Sequence, residues 1–326
     1  MPANWSLKDP TMASPFLSQG GLRDNLKGIF GGEWPRVVWA DIFGDRDGFA
    51  YCFGGWSLLR CAESIPKKTD EAGMSTDISI VIVTVCRRSL YKAIRSIFDQ
   101  DFKGSIQLLV GADVEQFGNF SEMMRELETE CPPHILMTGI NPGYSTSKRH
   151  GGVHSSYYGG SLRTVLSFLS SSELVTYLDD DDWYEPQHLR LMHEAIQGKT
   201  WAFTLSNYAD PNKESVLGID TTESVGPRKG VYAAKFGGFV RPSALLLNKV
   251  RLSHILHLWS IAPFPSGDGE DRLIFRELLK YPDFGETRVA TVNCAIDPAD
   301  GMHAHRLSTL ATPAKTSAEK FQSFRK

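Results

Sequence analysis

The segment ISIVIVTV, Ile78–Val85, is an almost uninterrupted run of apolar, mostly β-branched residues. A strand with one face in water alternates apolar and polar residues, so this run predicts a strand that is covered on both faces. The segment that follows, SLYKAIRSIFDQ, repeats its apolar residues at helical spacing, which predicts an amphipathic helix. A buried strand that leads into such a helix restricts the chain to folds in which helices cover a sheet.

The same alternation continues along the chain. Further strands are predicted at Ile106–Val110, His134–Thr138 and Leu174–Leu178, and further helices near Phe120–Thr129 and Ser161–Leu169. Alternating strands and helices predict an α/β fold with a doubly wound, mainly parallel sheet, in which ligands bind beyond the carboxyl ends of the strands. Residues 139–159 form a polar loop of a length that is usually either functional or disordered.

Three regions are predicted from these patterns. Residues 1–77 form a small arm rich in Gly and aromatic residues, with short strand-like pieces and a polar linker. Residues 78–300 form the main domain. Residues 301–326 form a tail whose basic and Phe residues suit weak peripheral contact with an anionic membrane, a frayed terminus being the other interpretation.

Composition excludes several classes of function. The net charge of −3 argues against broad nucleic-acid binding, which needs a clustered excess of Lys and Arg. The 5 cysteines are scattered and form no CxxC pair, which indicates reduced thiols and no zinc site. The start lacks the features of a signal peptide, and no apolar run approaches the roughly 18–20 residues of a transmembrane helix. We therefore expect a cytoplasmic protein without a transmembrane segment.

Four consecutive aspartates, Asp179–Asp182, follow the predicted strand that ends at Leu178. Capping of a helix that starts near Pro186 needs only one of them, for example Asp182. An EF-hand loop is excluded because its glycine position is occupied by Tyr184. What remains is a site for Mg²⁺ or Mn²⁺, hard cations that take carboxylate oxygens and bridge the phosphates of a nucleotide.

Five motifs between Ile78 and about Val292 resemble those of the family 2 glycosyltransferases, which have the GT-A fold. They are Thr84 in VIVTVCRR, Asp113 in LLVGADVE, Arg163 at 16 residues before Asp179, the pair Asp179 and Asp181 in LDDDDWYEP, and Glu270-Asp271 in GDGEDRLIFREL. The chain departs from the family pattern at Val83, Cys86 and Ala112. The resemblance implies that a sugar is transferred with inversion from a nucleotide-diphosphate donor to a hydroxyl of a glycan, lipid-linked or protein acceptor. A UDP-sugar is expected as the donor before a GDP-sugar.

The resemblance also implies roles for individual residues. Asp271 is the implied catalytic base, with Glu270 and Asp268 as alternatives. The same acidic residues would also occur at the start of a helix that is capped by Asp268, without any catalytic role. The implied metal ligands are Asp181, Asp182 and a late histidine, His303 or His305. The donor-binding residues are Thr84, Asp113, Arg163, Asp179 and Asp180, of which Asp180 has no separate task. The acceptor residues are Gly237, Gly238 and Trp183.

Three other functions stay open on sequence alone. A nucleotidyltransferase also holds a metal ion with aspartates on an α/β sheet, but it normally has a glycine-rich phosphate loop, which CRRSL does not provide. A Mg²⁺-dependent phosphohydrolase is the second alternative. A non-catalytic sugar-nucleotide-binding module is the third, and the Glu270-Asp271 pair argues against it because binding alone needs no base.

Overall fold

The computed structural model describes residues 57–60, 75–213 and 215–311. Apart from residues 57–60 and the last residues before the main domain, the predicted N-terminal arm lies outside the described residues. So do the tail residues after Ala311. The predicted division into arm, main domain and tail stays a prediction.

Strands and helices alternate through the first half of the described chain. The strands are β1 (Ser57–Arg60), β2 (Ile78–Thr84), β3 (Ile106–Ala112), β4 (Ile135–Asn141), β5 (Leu174–Tyr177), β6 (Trp183–Tyr184), β7 (Trp201–Asp210), β8 (Ser215–Ile219), β9 (Gly226–Pro227), β10 (Gly238–Phe239), β11 (Leu245–Asn248) and β12 (Phe284–Ala295). The α-helices are α1 (Ser89–Phe98), α2 (Phe120–Glu128), α3 (Gly160–Leu169), α4 (His188–Ala195), α5 (Ala233–Phe236), α6 (Lys249–Leu252), α7 (Glu270–Leu278) and α8 (His303–Ala311). Short 3₁₀ helices span Lys148–His150, Pro242–Ala244 and Ser253–Ser260.

Ten of these strands form one sheet in the order β1-β4-β3-β2-β5-β11-β7-β12-β6, with β8 paired to β7. Strands β4, β3, β2 and β5 are parallel neighbours, and β7 and β12 form a second parallel pair. Strand β11 runs antiparallel between β5 and β7. The predicted α/β fold with a mainly parallel, helix-flanked sheet is confirmed. Strand β1, which belongs to the predicted arm, pairs antiparallel with β4 at the edge of this sheet.

Burial explains why the first strand and helix form where the sequence predicts them. Ile78, Ile80 and Ile82 of β2 are fully buried on one face, and the other face is also covered. In α1, the buried residues Leu90, Ala93, Ile94 and Ile97 recur at helical spacing. Burying each Leu or Ile side chain contributes about 1.5–3 kcal/mol.

The direction of each strand determines which residues meet at the functional edge of the sheet. The carboxyl ends of β2, β3 and β5 lie together because these strands are parallel and in register. Since β11 is antiparallel to β5, the turn before β11, Pro242–Ala244, lies at the same edge. The carboxyl end of β12 is also there, because β12 runs parallel to β7.

No helix in the described ranges is long and apolar enough to span a membrane.

Candidate active site

The four aspartates form a tight turn, Asp179–Asp182, in which the Asp182 N–H donates to the Asp179 carbonyl oxygen at 3.1 Å. We call it the acidic turn. Each of its four carboxylates has a different set of partners.

Asp180 joins the acidic turn to the end of β2. Its buried carboxylate accepts hydrogen bonds from the Thr84 hydroxyl at 2.7 Å and from the Val85 N–H at 3.2 Å. The Arg87 guanidinium donates to its other oxygen at 3.1 Å. Burial raises the pKa of Asp180, while Arg87, Thr84 and Val85 act in the opposite direction. Asp180 therefore fixes the position of the turn on the sheet.

Asp181 is the neighbouring carboxylate on the solvent side. Its side chain is 44% exposed and accepts a hydrogen bond at 2.9 Å from the same Arg87 nitrogen that contacts Asp180. Asp181 lines a cavity of about 380 Å³ together with Arg87, Lys92 and Trp183. The Lys92 ammonium lies 3.4 Å from the centre of the Trp183 ring. Two basic side chains thus border a cavity with an exposed carboxylate, a combination suited to a phosphate group and its counterion.

Asp182 points into the protein. Its carboxylate accepts hydrogen bonds from the Ser243 hydroxyl at 2.8 Å, from the Cys294 thiol at 3.3 Å and from the Ala295 N–H at 3.2 Å. Burial raises the pKa of Asp182 to about 6, with a further increase from Asp179. The predicted capping role of Asp182 is wrong. The next helix, α4, begins at His188 after Gln187, without a side-chain cap.

Asp179 pairs with Arg163, whose guanidinium nitrogen lies 2.7 Å from the Asp179 carboxylate. The Arg163 side chain is only 7% exposed and lies over the Trp259 ring, 5.0 Å from its centre. Helix α3 presents Arg163 here because the helix starts at two glycines. A Cβ on Gly160 would lie 2.0 Å from the Trp259 carbonyl oxygen, so only glycine permits this close packing.

Asp113 follows β3 and is buried beside the acidic turn. Its N–H donates to the Thr84 carbonyl oxygen at 2.8 Å, and one carboxylate oxygen accepts from the Ser145 hydroxyl at 3.0 Å. The other oxygen, Oδ1, is buried and has no hydrogen-bond partner. A buried acceptor without a donor costs about 1–3 kcal/mol, which makes Oδ1 a candidate for binding a ligand N–H.

Glu270 and Asp271 are the first two residues of helix α7. Glu270 is buried, and its Oε2 has no partner. Burial raises the pKa of Glu270 to about 7, while the Arg163 charge acts against this rise. Burial also raises the pKa of the half-buried Asp271, against Arg272 and Arg163. Both carboxyl groups therefore lie in the field of the guanidinium that holds Asp179.

Comparisons with known proteins bear on the fold. No model of a protein family matches the sequence, and no curated protein is significantly similar to it. The structure is similar to that of S. aureus TarS 1–349 in complex with UDP-GlcNAc, with a TM-score of 0.50 and 12% identity over 69% of this chain. The chain has the GT-A glycosyltransferase fold.

Two other solved structures are similar to this GT-A chain at lower scores. They are S. aureus TarS 1–349 in complex with UDP (TM-score 0.48, 13% identity, 73% of this chain and 66% of that one) and the mannosyltransferase PcManGT from Pyrobaculum calidifontis in complex with GDP-Man and Mn²⁺ (0.43, 11%, 73% and 61%). The match spans 60% of the TarS chain in the UDP-GlcNAc complex, which is less than two thirds of that protein.

The GT-A sheet brings most of the predicted site residues to one edge. Thr84, Asp113, Arg163 and all four aspartates are connected by the hydrogen bonds described above. Sequence reasoning assigned no separate task to Asp180, and in the structure this residue accepts three hydrogen bonds that hold the turn. The prediction that Asp268 caps helix α7 is also wrong, because Gly269 occupies the N-cap position and no side-chain hydrogen bond caps the helix.

His303 and His305 lie in the first turn of α8, and neither lines the cavity beside Asp181. In the described part of the chain, no group of three or more His, Cys, Asp and Glu side chains is arranged to hold a metal ion. The assignment of either histidine as a metal ligand stays a prediction.

The predicted acceptor residues also have structural reasons for their identity. Gly237 and Gly238 have φ angles of 76° and 106°, and a Cβ on Gly238 would lie 2.3 Å from the Gly226 carbonyl oxygen. The β9–β10 hairpin therefore requires glycine whether or not an acceptor binds nearby. Trp183 pairs with Asn293 of β12 and borders the cavity of Asp181.

Sequence reasoning missed three partners of the acidic turn: Arg87, Ser243 and Cys294. Arg87 was within reach, because it is part of the motif VIVTVCRR that contains Thr84. Ser243 and Cys294 are 61 and 112 residues from Asp182, and nothing local marks them. A groove of about 880 Å³ between α1 and α2 is larger than the cavity of Asp181. It contains no residue of the acidic turn, so we assign the site to the smaller cavity.

Glu270→Gln is expected to stabilise the protein at alkaline pH. A carboxyl group whose pKa rises from 4.5 to about 7 on folding favours the folded state at low pH and loses that contribution as the pH rises through 7. Glutamine has no such dependence, so the variant should gain about 3 kcal/mol in unfolding free energy, relative to wild type, between pH 4.5 and 8. Urea unfolding of both proteins at several pH values measures this gain. A difference in unfolding free energy between the two proteins that does not change with pH would contradict the raised pKa of Glu270.

Proposed function

We propose that this chain is a glycosyltransferase that moves a sugar from a nucleotide-diphosphate donor, UDP more than GDP, to an acceptor hydroxyl with inversion. The observation that supports it most is the position of Arg163. One buried guanidinium holds Asp179 of the acidic turn and acts electrostatically on Glu270 and Asp271. The charge of Arg163 thus acts both on a residue proposed for the donor site and on the carboxyl groups proposed to receive the acceptor proton.

Asp113 is proposed to bind the base of the donor. Its unpartnered Oδ1 lies at the end of β3, where α/β sheets bind ligands, and it is suited to accept the N3–H of uracil. Arg87 and Lys92, which border the cavity beside Asp181, are proposed to receive the diphosphate. Their charges neutralise the negative charge that develops on the leaving group.

Asp271 is proposed to be the base that takes the proton of the acceptor hydroxyl, as the family resemblance implies. Its raised pKa brings it closer to neutral pH, where a general base transfers protons most efficiently. Glu270 is proposed to limit the negative charge beside Asp271. At neutral pH it is partly protonated, so that two full negative charges do not lie side by side.

A divalent ion, Mn²⁺ or Mg²⁺, is expected from the resemblance and from the Mn²⁺ complex of the mannosyltransferase. The side chains as they stand do not fit one. Asp179 and Asp182 are occupied by Arg163, Ser243 and Cys294, and the accessible carboxylate of Asp181 is paired with Arg87. The chemistry proposed here therefore uses only the residues of the chain.

A thermal-shift panel of UDP, CDP, GDP, UMP and UDP-sugars, each with and without Mn²⁺, tests the donor assignment. We expect the largest increase in melting temperature with UDP or a UDP-sugar, because a ligand present at 100 times its Kd stabilises by about 2.7 kcal/mol. CDP is the matched control, since cytosine has no N3–H to donate to Asp113. If no diphosphate raises the melting temperature, or UMP raises it as much as UDP, the proposed function is wrong.

A further inference from the structure

Arg272, the residue after the proposed base, is surrounded by aromatic rings. Its guanidinium carbon lies 4.3 Å from the centre of the Tyr232 ring, 4.5 Å from that of Phe236 and 5.1 Å from that of Phe239. We call these three rings the aromatic clamp. Nη1 of Arg272 is buried and has no hydrogen-bond partner in the described part of the chain. The rings therefore supply the favourable interaction that this permanent charge would otherwise have with water.

The aromatic clamp is built by one short segment, residues 232–239. Helix α5 lies in the middle of this segment and strand β10 at its end. Gly237 and Gly238 reverse the chain with positive φ angles, and the Gly238 N–H donates to the Tyr232 carbonyl oxygen at 3.2 Å. The Phe239 ring is thereby brought to the Tyr232 ring, with their centres 5.7 Å apart. The glycines that the family resemblance assigns to the acceptor thus shape a clamp on the helix of the proposed base.

Asp271 lies in the field of several charged or titratable groups. They are Glu270 and Arg272 on the same helix, Arg163 of α3 and Asp179 of the acidic turn. The elements beside α7 also carry three exposed groups, which are Lys235, His254 and His257. Burial raises the pKa of Asp271, and Arg272 counteracts this rise more than Arg163 does. The Arg272 N–H also donates to the Asp271 carboxylate at 2.7 Å.

We propose that Arg272 is a positioning residue for the base: the aromatic clamp fixes its guanidinium, and this charge keeps the Asp271 carboxyl group in the anionic form that accepts a proton. The inference rests on the proposed function for the role of Asp271. A base that already carried a proton at the working pH could not take the proton of the acceptor hydroxyl. Burial favours that protonated form, and a positive charge held nearby opposes it.

The aromatic clamp matters because it removes two factors that weaken the effect of an exposed charge. A free arginine side chain samples many rotamers, and water screens its charge. In the clamp, three rings restrict the guanidinium of Arg272, and its Nη1 is shielded from water. Its charge therefore acts on Asp271 through a less polar medium.

¹³C NMR of the aspartate carboxyl groups in the full chain, followed as a function of pH, tests this without turnover. The Asp271 signal is the one that is missing in Asp271→Asn. Arg272→Gln should move the midpoint of the Asp271 titration upward by about one pH unit, because an opposing positive charge is removed. Arg272→Lys keeps a cation that can lie over the rings and should titrate like wild type. Arg276→Gln, the matched control, removes an exposed charge one turn further along α7 and should leave the midpoint unchanged.

Phe236→Leu tests the aromatic clamp itself. It removes one ring of the partly buried Phe236 and retains the charge of Arg272, so the Asp271 midpoint should lie between those of wild type and Arg272→Gln. This variant also provides the test if Arg272→Gln does not fold. An unchanged Asp271 midpoint in Arg272→Gln, or in Phe236→Leu, would overturn the proposal.

Two further outcomes separate charge from packing, and this proposal from the proposed function. An equal upward movement of the Asp271 midpoint in Arg272→Lys and Arg272→Gln would also overturn the proposal, since it would show a loss of packing and not of charge. If the midpoints move as expected but Asp271→Asn retains turnover, Asp271 is not the base, while the effect of Arg272 on its ionisation stands.

Discussion

Asp180→Ala is expected to lower the free energy of unfolding by about 3 kcal/mol. The substitution leaves the Val85 N–H and the buried Thr84 hydroxyl without their acceptor and removes one partner of Arg87. Because burial raises the pKa of Asp180, its charge is itself partly unfavourable, and this limits the loss. Urea unfolding at pH 7 measures the difference from wild type.

Asp181→Ala is the matched control, one residue further along the same turn. Its partly exposed ion pair with Arg87 contributes no more than about 1 kcal/mol, so stability should hardly change. Because Asp181 positions Arg87 in the cavity, binding of UDP should nevertheless be weakened in this variant. Equal losses of stability in the two variants would show that Asp180 does not hold the turn. Unchanged binding of UDP in Asp181→Ala would remove Asp181 from the donor site.

Asp271→Asn is expected to reduce turnover by a factor of about 10²–10⁴, the range that general-base catalysis supplies, while donor binding stays within about threefold of wild type. Asparagine has nearly the shape of aspartate and accepts the same hydrogen bond from the Arg272 N–H, but it does not take up a proton. The measurement is release of UDP from the UDP-sugar that the thermal-shift panel selects, with a set of sugar acceptors. Donor affinity is measured separately by calorimetry.

Asp268→Asn serves as the control for the base. Asp268 is two residues before Glu270 and accepts a hydrogen bond from the Ser266 hydroxyl at the protein surface. Its loss should leave turnover unchanged. If Asp268→Asn abolishes turnover and Asp271→Asn does not, the base is Asp268. If both variants retain turnover, Glu270 is the remaining carboxylate, and Glu270→Gln then decides the assignment.

The sequence predicted the parts of the fold that depend on local pattern. Strand β2 is predicted because burial on both faces gives a continuous apolar run at Ile78. Helix α1 is predicted because burial on one face repeats apolar residues at helical spacing, here Leu90, Ala93, Ile94 and Ile97. Parallel strands place their carboxyl ends together, so the meeting of Thr84 and Asp113 also follows from the sequence.

Contacts between distant segments could not be predicted in this way. Ser243 reaches Asp182 because β11 is inserted antiparallel beside β5, and Cys294 reaches it because β12 ends at the same edge. No periodicity encodes the order of strands in a sheet. For the same reason, the sequence left helix capping open for Asp182, although its side chain points toward those strands. The ion pair of Arg87 with two aspartates depends on side-chain direction in a turn, which a residue pattern does not specify.

The position of the acidic turn between β5 and β6 has a mechanical consequence. These strands are separated in the sheet by β11, β7 and β12, which on a flat sheet would place them about 19 Å apart. The six steps from Tyr177 to Trp183 span about 20 Å only when fully extended, yet the chain turns back on itself there. The half-sheet must therefore curl until Tyr184 donates to the Tyr177 carbonyl oxygen at 2.7 Å. The acidic turn links the two ends of this curled half-sheet, so the curvature of the half-sheet constrains the spacing of the carboxylates. The irregularity of β12 near Ala290, which is outside the acidic turn, is a place where that curvature can be altered.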